Sequence, residues 1–456
     1  MYVTLNPATG QTLQRFALHD EAQIDARMQR AAQAQREWAT VALADRCDLL
    51  RRVATTLRAR RDALALLITL EMGKPITEAE AEIDKCAWNF DHYAEHAATY
   101  LAEETIPSNA TDSRVVFDPL GIVLAVMPWN YPFWQVMRFA APALAAGNGA
   151  VLKHASNVPQ CALAIEAVFA DSGAPPGLFT NLLVAGSGVK RLIEDPRVRA
   201  VTLTGSTPVG RQVAAQAGAV LKKQVLELGG SDPFIVLADA DVEAAAAVAV
   251  KARFSNTGQS CISSKRFIVE ESVAERFVDA FVAKAGKLVA GDPLRRDVQL
   301  GSMARESLRE ELHAQVQRSR DAGARVVLGG DVPAGVGAFY PATILDHVQP
   351  HMAVACEETF GPAAAVLRVA DAASAVALAN ATEFGLGATL WTRDLDRARW
   401  LARGIDAGAV FVNGMVASDP RLPFGGVKDS GYGRELGVWG IREFVNTKLV
   451  WTGPAR

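Results

Sequence analysis

Cysteine is scarce in this chain of 456 residues: there are five, Cys47, Cys86, Cys161, Cys261 and Cys356, with no C-x-x-C pair and no regular spacing. That excludes a disulfide-stapled scaffold and a cysteine-rich zinc site, and with no secretory leader in view it points to a reducing, cytoplasmic setting. A basic excess is also missing, since 47 Lys and Arg stand against 50 Asp and Glu. Such a balance does not attract a phosphate backbone or an anionic bilayer, so neither nucleic acid nor membrane is expected as a partner. Long unbroken apolar runs are absent as well. The most apolar region, Pro119 to Leu152, is interrupted by Pro128, Asn130, Pro132 and Pro142 and contains Arg138. Prolines there would leave backbone groups unsatisfied in lipid, which argues for a buried strand followed by a buried helix.

What the chain does have is apolar material to bury, with 50% hydrophobic and 21% charged residues. At this length two or three packed units are expected. Residues 20 to 103 read as helical, with a stop at Gly73 and a capping box at Thr77-Glu-Ala-Glu80 to start the next helix. From Arg114 onward, short apolar runs alternate with helical stretches: Gly121 to Val126, Ala150 to Lys153, Asn181 to Val184, Val198 to Leu203 and Gln224 to Leu228. After Gly229-Gly230 a second cycle runs through Phe234 to Leu237, Phe267 to Val269, Val326 to Leu328, Ala364 to Val369, Ala388 to Trp391 and Ala409 to Val412. This alternation predicts two open, mostly parallel α/β sheets, whose ligands bind at the carboxyl ends of the strands.

The chemistry concentrates at that junction. Cys261 closes the polar, turn-forming run Phe254-Ser-Asn-Thr-Gly-Gln-Ser-Cys261, and Glu227 sits upstream in the apolar Leu226-Glu-Leu-Gly-Gly230. Cysteine attacks carbonyls as thiolate, and a carboxylate among Val225, Leu226 and Leu228 has the raised pKa that suits a base near neutrality. A buried structural cysteine and an ion-paired acid are the plainer readings of either residue taken alone. Asn130, in Met127-Pro-Trp-Asn-Tyr-Pro132, is either a turn residue or a donor to a developing oxyanion. Leu203-Thr-Gly-Ser-Thr-Pro-Val-Gly210 follows a strand and opens a helix, so Ser206 and the helix N-terminus are candidates to meet a pyrophosphate. His92 and His96, at i, i+4, lack the glutamate of a metalloprotease motif and read as two partly exposed helix residues.

Together these pieces resemble the NAD(P)-dependent aldehyde dehydrogenase superfamily over nearly the whole chain. The motifs, in order, are Pro128-Trp-Asn-Tyr-Pro132, Lys153, Thr204 to Gly210, Leu226-Glu-Leu-Gly-Gly230, Gly258-Gln-Ser-Cys261, Glu357-Glu-Thr-Phe-Gly-Pro362 and Pro423 to Glu435. The resemblance implies an NAD(P)-binding domain at 1–100 and 119–229, a catalytic domain at 230–431, and oligomerisation segments at 101–118 and 432–456 that build a small sheet in a homodimer or homotetramer. It makes Cys261 the nucleophile, Glu227 the base for hydrolysis and Asn130 an oxyanion donor. Trp129, Lys153, Ser156, Gly205, Ser206, Gly229, Glu358 and Phe360 become cofactor contacts. Arg138 and Ser418 match carboxylate contacts of succinate-semialdehyde dehydrogenases, and the short length with the run Lys153-His-Ala-Ser-Asn157 looks closest to the shorter bacterial ones. Ser255 stands where a second carboxylate-binding arginine is found in other members, which also admits another acid semialdehyde or an aliphatic aldehyde. Ser156 stands where NAD-preferring members place glutamate, so use of NADP is expected, with NAD also admitted. Ser263 replaces the partner of a redox-switch disulfide. No metal is implied. A CoA-acylating enzyme is disfavoured by Glu227, and a non-catalytic binding protein by the presence of Cys261, Glu227 and Asn130 together.

Overall fold

The computed structural model describes residues 1–454, and four sheets organise them. A six-stranded sheet runs in the order Gly431–Tyr432, Lys223–Glu227, Val198–Thr204, Ile122–Val126, Gly149–Lys153, Phe179–Asn181, and all its pairings are parallel except that of Gly431–Tyr432. A seven-stranded sheet runs Arg325–Leu328, Thr343–Asp346, Ala363–Val369, Ser264–Glu270, Asp232–Val236, Gly387–Trp391, Ala409–Val412, antiparallel only at the Arg325–Leu328 edge. The central strands Ile122–Val126, Asp232–Val236 and Ser264–Glu270 are buried at every position. Continuous apolar strands covered by helices on both faces are the signature of parallel sheets, and this is the α/β architecture the alternation predicts.

Helices Glu21–Trp38, Leu43–Ala59, Arg61–Met72 and Ile76–Tyr100 fill the N-terminal region. Gly73 stops the third of these in the left-handed conformation, φ 80°, as its sequence position suggests. The predicted capping box does not form. The fourth helix starts at Ile76 with Pro75 at its cap and no side-chain bond there, and Glu80 instead reaches outward to Arg296 at 2.7 Å. Proline presets the entry angle, so the helix begins a residue before Thr77 and places Glu80 beyond capping reach.

Two further expectations shift. The run Asn181–Val184 is not a strand; pairing covers Phe179–Asn181, and the chain then leaves the sheet edge. The stretch from Gly437 is a helix as far as Glu443, and the strand proper is Val445–Thr452, paired antiparallel to Asp112–Pro119, which also pairs with Glu104–Thr105. His92 is buried, 5% exposed, with its Nε2 3.1 Å from the Tyr100 hydroxyl. It therefore belongs to an aromatic cluster with Tyr93, His96 and Tyr100, not to the helix surface. The hairpin Tyr2–Leu5 with Thr12–Phe16 and the strand Thr343–Asp346 go unpredicted because each is short and flanked by polar residues. None of the described helices is long and apolar enough to cross a membrane.

Candidate active site

Cys261 and Glu227 come from opposite sides of the junction between the two large sheets. Glu227 ends the strand Lys223–Glu227, and Cys261 follows the helix Val242–Phe254 by one tight turn. In that turn Asn256 and Thr257 both adopt left-handed backbone, φ 55° and 53°, followed by Gly258 at 71°. Two non-glycine residues in this region are costly and persist only where the surroundings fix them. Here the Asn256 N–H donates to Glu78 Oε2 at 2.6 Å, and its side-chain amide donates to the carbonyls of Asn130 at 2.8 Å and Gln259 at 3.0 Å. A Cβ at Gly258 would lie 2.4 Å from the Gly361 carbonyl, and one at Gly230 would lie 2.6 Å from the Cys261 carbonyl. The glycine pair after Glu227 is therefore what lets the end of one sheet touch the cysteine loop of the other.

Charge is tuned by burial. Glu227 is 1% exposed, and neither of its carboxylate oxygens has a hydrogen-bond partner. Burial, then the neighbouring Glu435, push it up to about 8, against a smaller opposing pull from Arg138 and Arg434. Burial likewise holds Glu435 above the ordinary carboxylate range, against the pull of Arg138. Burial also raises Cys261, to about 12, while Lys265 and Arg138 draw it down. At neutral pH it is thus a thiol whose proton must leave as attack occurs. Lys265, buried behind the loop, donates to the carbonyls of Ser260 at 3.0 Å and Cys261 at 2.8 Å. Asn130 is fixed from two sides, donating to the Gln259 carbonyl at 3.1 Å and accepting from Gln135 Nε2 at 3.1 Å.

A cavity of about 540 Å³ opens on Cys261 and Asn130, within the size of small-molecule sites. Trp129, Asn130, Gly205, Ser206, Gly229, Cys261, Glu358 and Phe360 all line it. Its features suit a dinucleotide. Ser206 precedes the helix Thr207–Ala219 and makes no capping bond, so the first-turn N–H groups point at the cavity mouth with the positive end of the helix. Trp129 and Phe360 meet edge to face at 5.7 Å, and a Cβ at Gly229 would strike Glu358 Oε2 at 2.7 Å. Glu358 accepts from the Gly230 N–H at 3.0 Å and faces Lys265 at 3.4 Å. Lys153 ends its strand partly buried, its ammonium pushed down by that burial, and has no ion-pair partner among the described residues. Ser156 lies in an adjacent cavity of about 560 Å³, which shares Arg305 with the first.

The remaining candidates lie away from this cavity. Arg138 is not a solvated helix charge: it is 3% exposed, in close ionic contact with Glu435, and donates to Thr204 Oγ1 at 3.3 Å, with its guanidinium over the Phe424 ring at 4.7 Å. It rides on the buried helix Trp134–Ala145, whose start is held by Glu82 Oε1 accepting the N–H groups of Phe133 and Trp134, both at 2.9 Å. Ser418 accepts from Lys85 Nζ at 2.7 Å. Ser255 caps the C-terminal end of the helix before the cysteine turn and carries no charge to it. Lys85, Gln135, Lys265 and Glu78 escape sequence reasoning, because each is an ordinary helix or strand residue until the fold brings it to the site, and Glu435 closes the motif Pro423 to Glu435, in which nothing local pairs it with Arg138.

The sequence model of the Aldehyde dehydrogenase family matches residues 1–450. An aldehyde dehydrogenase of Paenarthrobacter nicotinovorans is 50% identical over 453 residues, covering 98% of this chain and 99% of the relative. A succinate semialdehyde dehydrogenase [NAD(P)+] of Escherichia coli K12 is 49% identical over 450 residues, covering 98% of this chain and 97% of the relative. The crystal structure of the succinic semialdehyde dehydrogenase of Streptococcus pyogenes, in complex with NADP+, superposes with a TM-score of 0.97 at 36% identity and covers all of both chains. With the fold, the cysteine loop and these likenesses in agreement along its length, the chain belongs to the aldehyde dehydrogenase family.

Proposed function

We propose that this enzyme oxidises succinate semialdehyde to succinate with NADP as the preferred hydride acceptor, through a covalent intermediate on Cys261. The observation that carries the reading is the pairing of a buried, unpartnered Glu227 with Cys261 at a glycine-lined junction. Cys261 Sγ adds to the aldehyde carbon as its proton passes to solvent water, giving a thiohemiacetal whose oxyanion is met by the side-chain amide of Asn130 and the Cys261 N–H. A dinucleotide held in this cavity would supply the hydride acceptor, and loss of hydride from that carbon leaves it bound to Cys261 as a thioester. Glu227 then takes a proton from water, the hydroxide adds to the thioester, and Cys261 departs as thiolate while the carboxylate is released.

Trp129, Gly205, Ser206, Gly229 and Phe360 would hold the dinucleotide, with Lys153 and Glu358 on its riboses. Ser156 beside Lys153 favours a 2′-phosphate, which a glutamate there would repel. We read residues 1–100 and 119–229 as the cofactor-binding domain, 230–431 as the catalytic domain, and the segments 101–118 and 432–456 as the oligomerisation unit of a cytoplasmic homo-oligomer. The exposed Leu449, Val450 and Trp451 on the strand Val445–Thr452 support the last point. Arg138 and Ser418 are assigned to the substrate carboxylate.

A turnover panel of succinate semialdehyde, glutarate semialdehyde and butanal, each with NAD and NADP, tests substrate and cofactor together. The expected result is the highest kcat/KM for succinate semialdehyde with NADP. A preference for NAD of about tenfold or more would contradict the reading of Ser156, since that ratio equals about 1.4 kcal/mol of discrimination.

A further inference from the structure

We propose that Lys85 is a second cation for the substrate carboxylate, acting with Ser418 and Arg138. This rests on the assignment of an acid semialdehyde as substrate. The two acids whose charge acts on Lys85 are engaged elsewhere, Glu82 with Lys74 and two backbone N–H groups and Asp419 with Arg421 at 2.6 Å, and Glu435 is in contact with Arg138. Lys85 itself has no ion-pair partner among the described residues. With Glu435 set against Arg138, Lys85 is a cation without an acidic partner, and a substrate carboxylate would supply one.

Geometry points the same way. Lys85 lies on the helix Ile76–Tyr100, its Nζ 2.7 Å from Ser418 Oγ and 4.3 Å from the centre of the Trp134 ring. A hydroxyl that accepts from an ammonium keeps its own O–H to donate, so Ser418 and the free N–H bonds of Lys85 present a charge-assisted donor set. Trp134 and Arg138 occupy the first two turns of one buried helix, Trp134–Ala145. Trp134 thus places Lys85 beside the first turns of the helix that carries Arg138. Burial, followed by the charge of Arg138, pushes Lys85 down to about 8. An anion placed between the two cations would relieve the repulsion and restore the ammonium.

The test compares the wild type with Lys85→Met and Lys85→Arg on succinate semialdehyde and on butanal, which has the same chain length without the carboxylate. Succinate binding is measured separately by calorimetry on the intact protein. In Lys85→Met the ratio of kcat/KM for succinate semialdehyde to that for butanal should fall roughly 10- to 100-fold, as expected for loss of a charged hydrogen bond, through KM and not kcat. Succinate affinity should fall in parallel, and Lys85→Arg should recover most of both. A wild-type preference that survives in Lys85→Met, or an equal loss on both aldehydes, overturns the role of Lys85 and leaves the substrate assignment standing. A wild type that shows no preference for the carboxylate-bearing aldehyde overturns both.

Discussion

The two ends of the proposed substrate site are built in different ways. At the reacting end, around Cys261 and Glu227, backbone conformation does the positioning: Asn256 and Thr257 are left-handed, Gly258 and Gly230 admit no side chain, and the cysteine carbonyl is tied to Lys265. At the recognising end, Lys85, Arg138 and Ser418 come from three distant segments and are placed by one another's charges and hydrogen bonds. A backbone-built region tolerates little change in place, because neighbouring chains leave no room for it. A site assembled from side chains can be altered one group at a time. On the proposed assignments, chemistry and specificity should accordingly be separable by substitution.

That contrast orders the expected effects of substitution. Cys261→Ala removes the nucleophile and should lower NADPH formation by about 10⁴-fold or more while cofactor binding, followed by fluorescence, persists. Turnover near that of the wild type would break the assignment. Gly230→Ala drives a Cβ toward the Cys261 carbonyl. It should cost about 1–3 kcal/mol of stability by overpacking and roughly 100-fold in kcat through displacement of the thiol. A variant with normal Tm and kcat would show that the close approach is not required. Arg138→Ala should raise KM for succinate semialdehyde roughly 10-fold or more and leave butanal far less affected. Equal effects on both aldehydes would mean that Arg138 serves chiefly to neutralise Glu435.

The same contrast explains what the sequence discloses. The two parallel sheets are readable because their strands are continuous apolar runs, such as Ile122–Val126, separated by glycine and proline. The residues of the reacting end are readable because backbone constraint leaves a local trace: the polar turn before Cys261 and the glycines after Glu227 stand next to the groups they position. Lys85 leaves no such trace, since a lysine three residues after Glu82 on a long helix looks like any solvated charge. The Arg138–Glu435 contact joins residues 297 positions apart in the chain, a pairing that no local pattern can encode. The false capping box at Thr77 has a similar cause. The motif is real, but Pro75 had already set the start of the helix.

The central claim is that Glu227 is the base for hydrolysis of a thioester on Cys261, and Glu227→Gln tests it most directly. In the wild type, ionisation of Glu227 near 8 should make the hydrolytic rate rise as pH climbs through that region and level off above it, because only the carboxylate can take the proton from water. In Glu227→Gln, rapid mixing with NADP and succinate semialdehyde should give a burst of one NADPH per site followed by a slow phase, and mass spectrometry should find the acyl group on Cys261. Sustained turnover at the wild-type rate, with the same pH profile and no acylated Cys261, would contradict it.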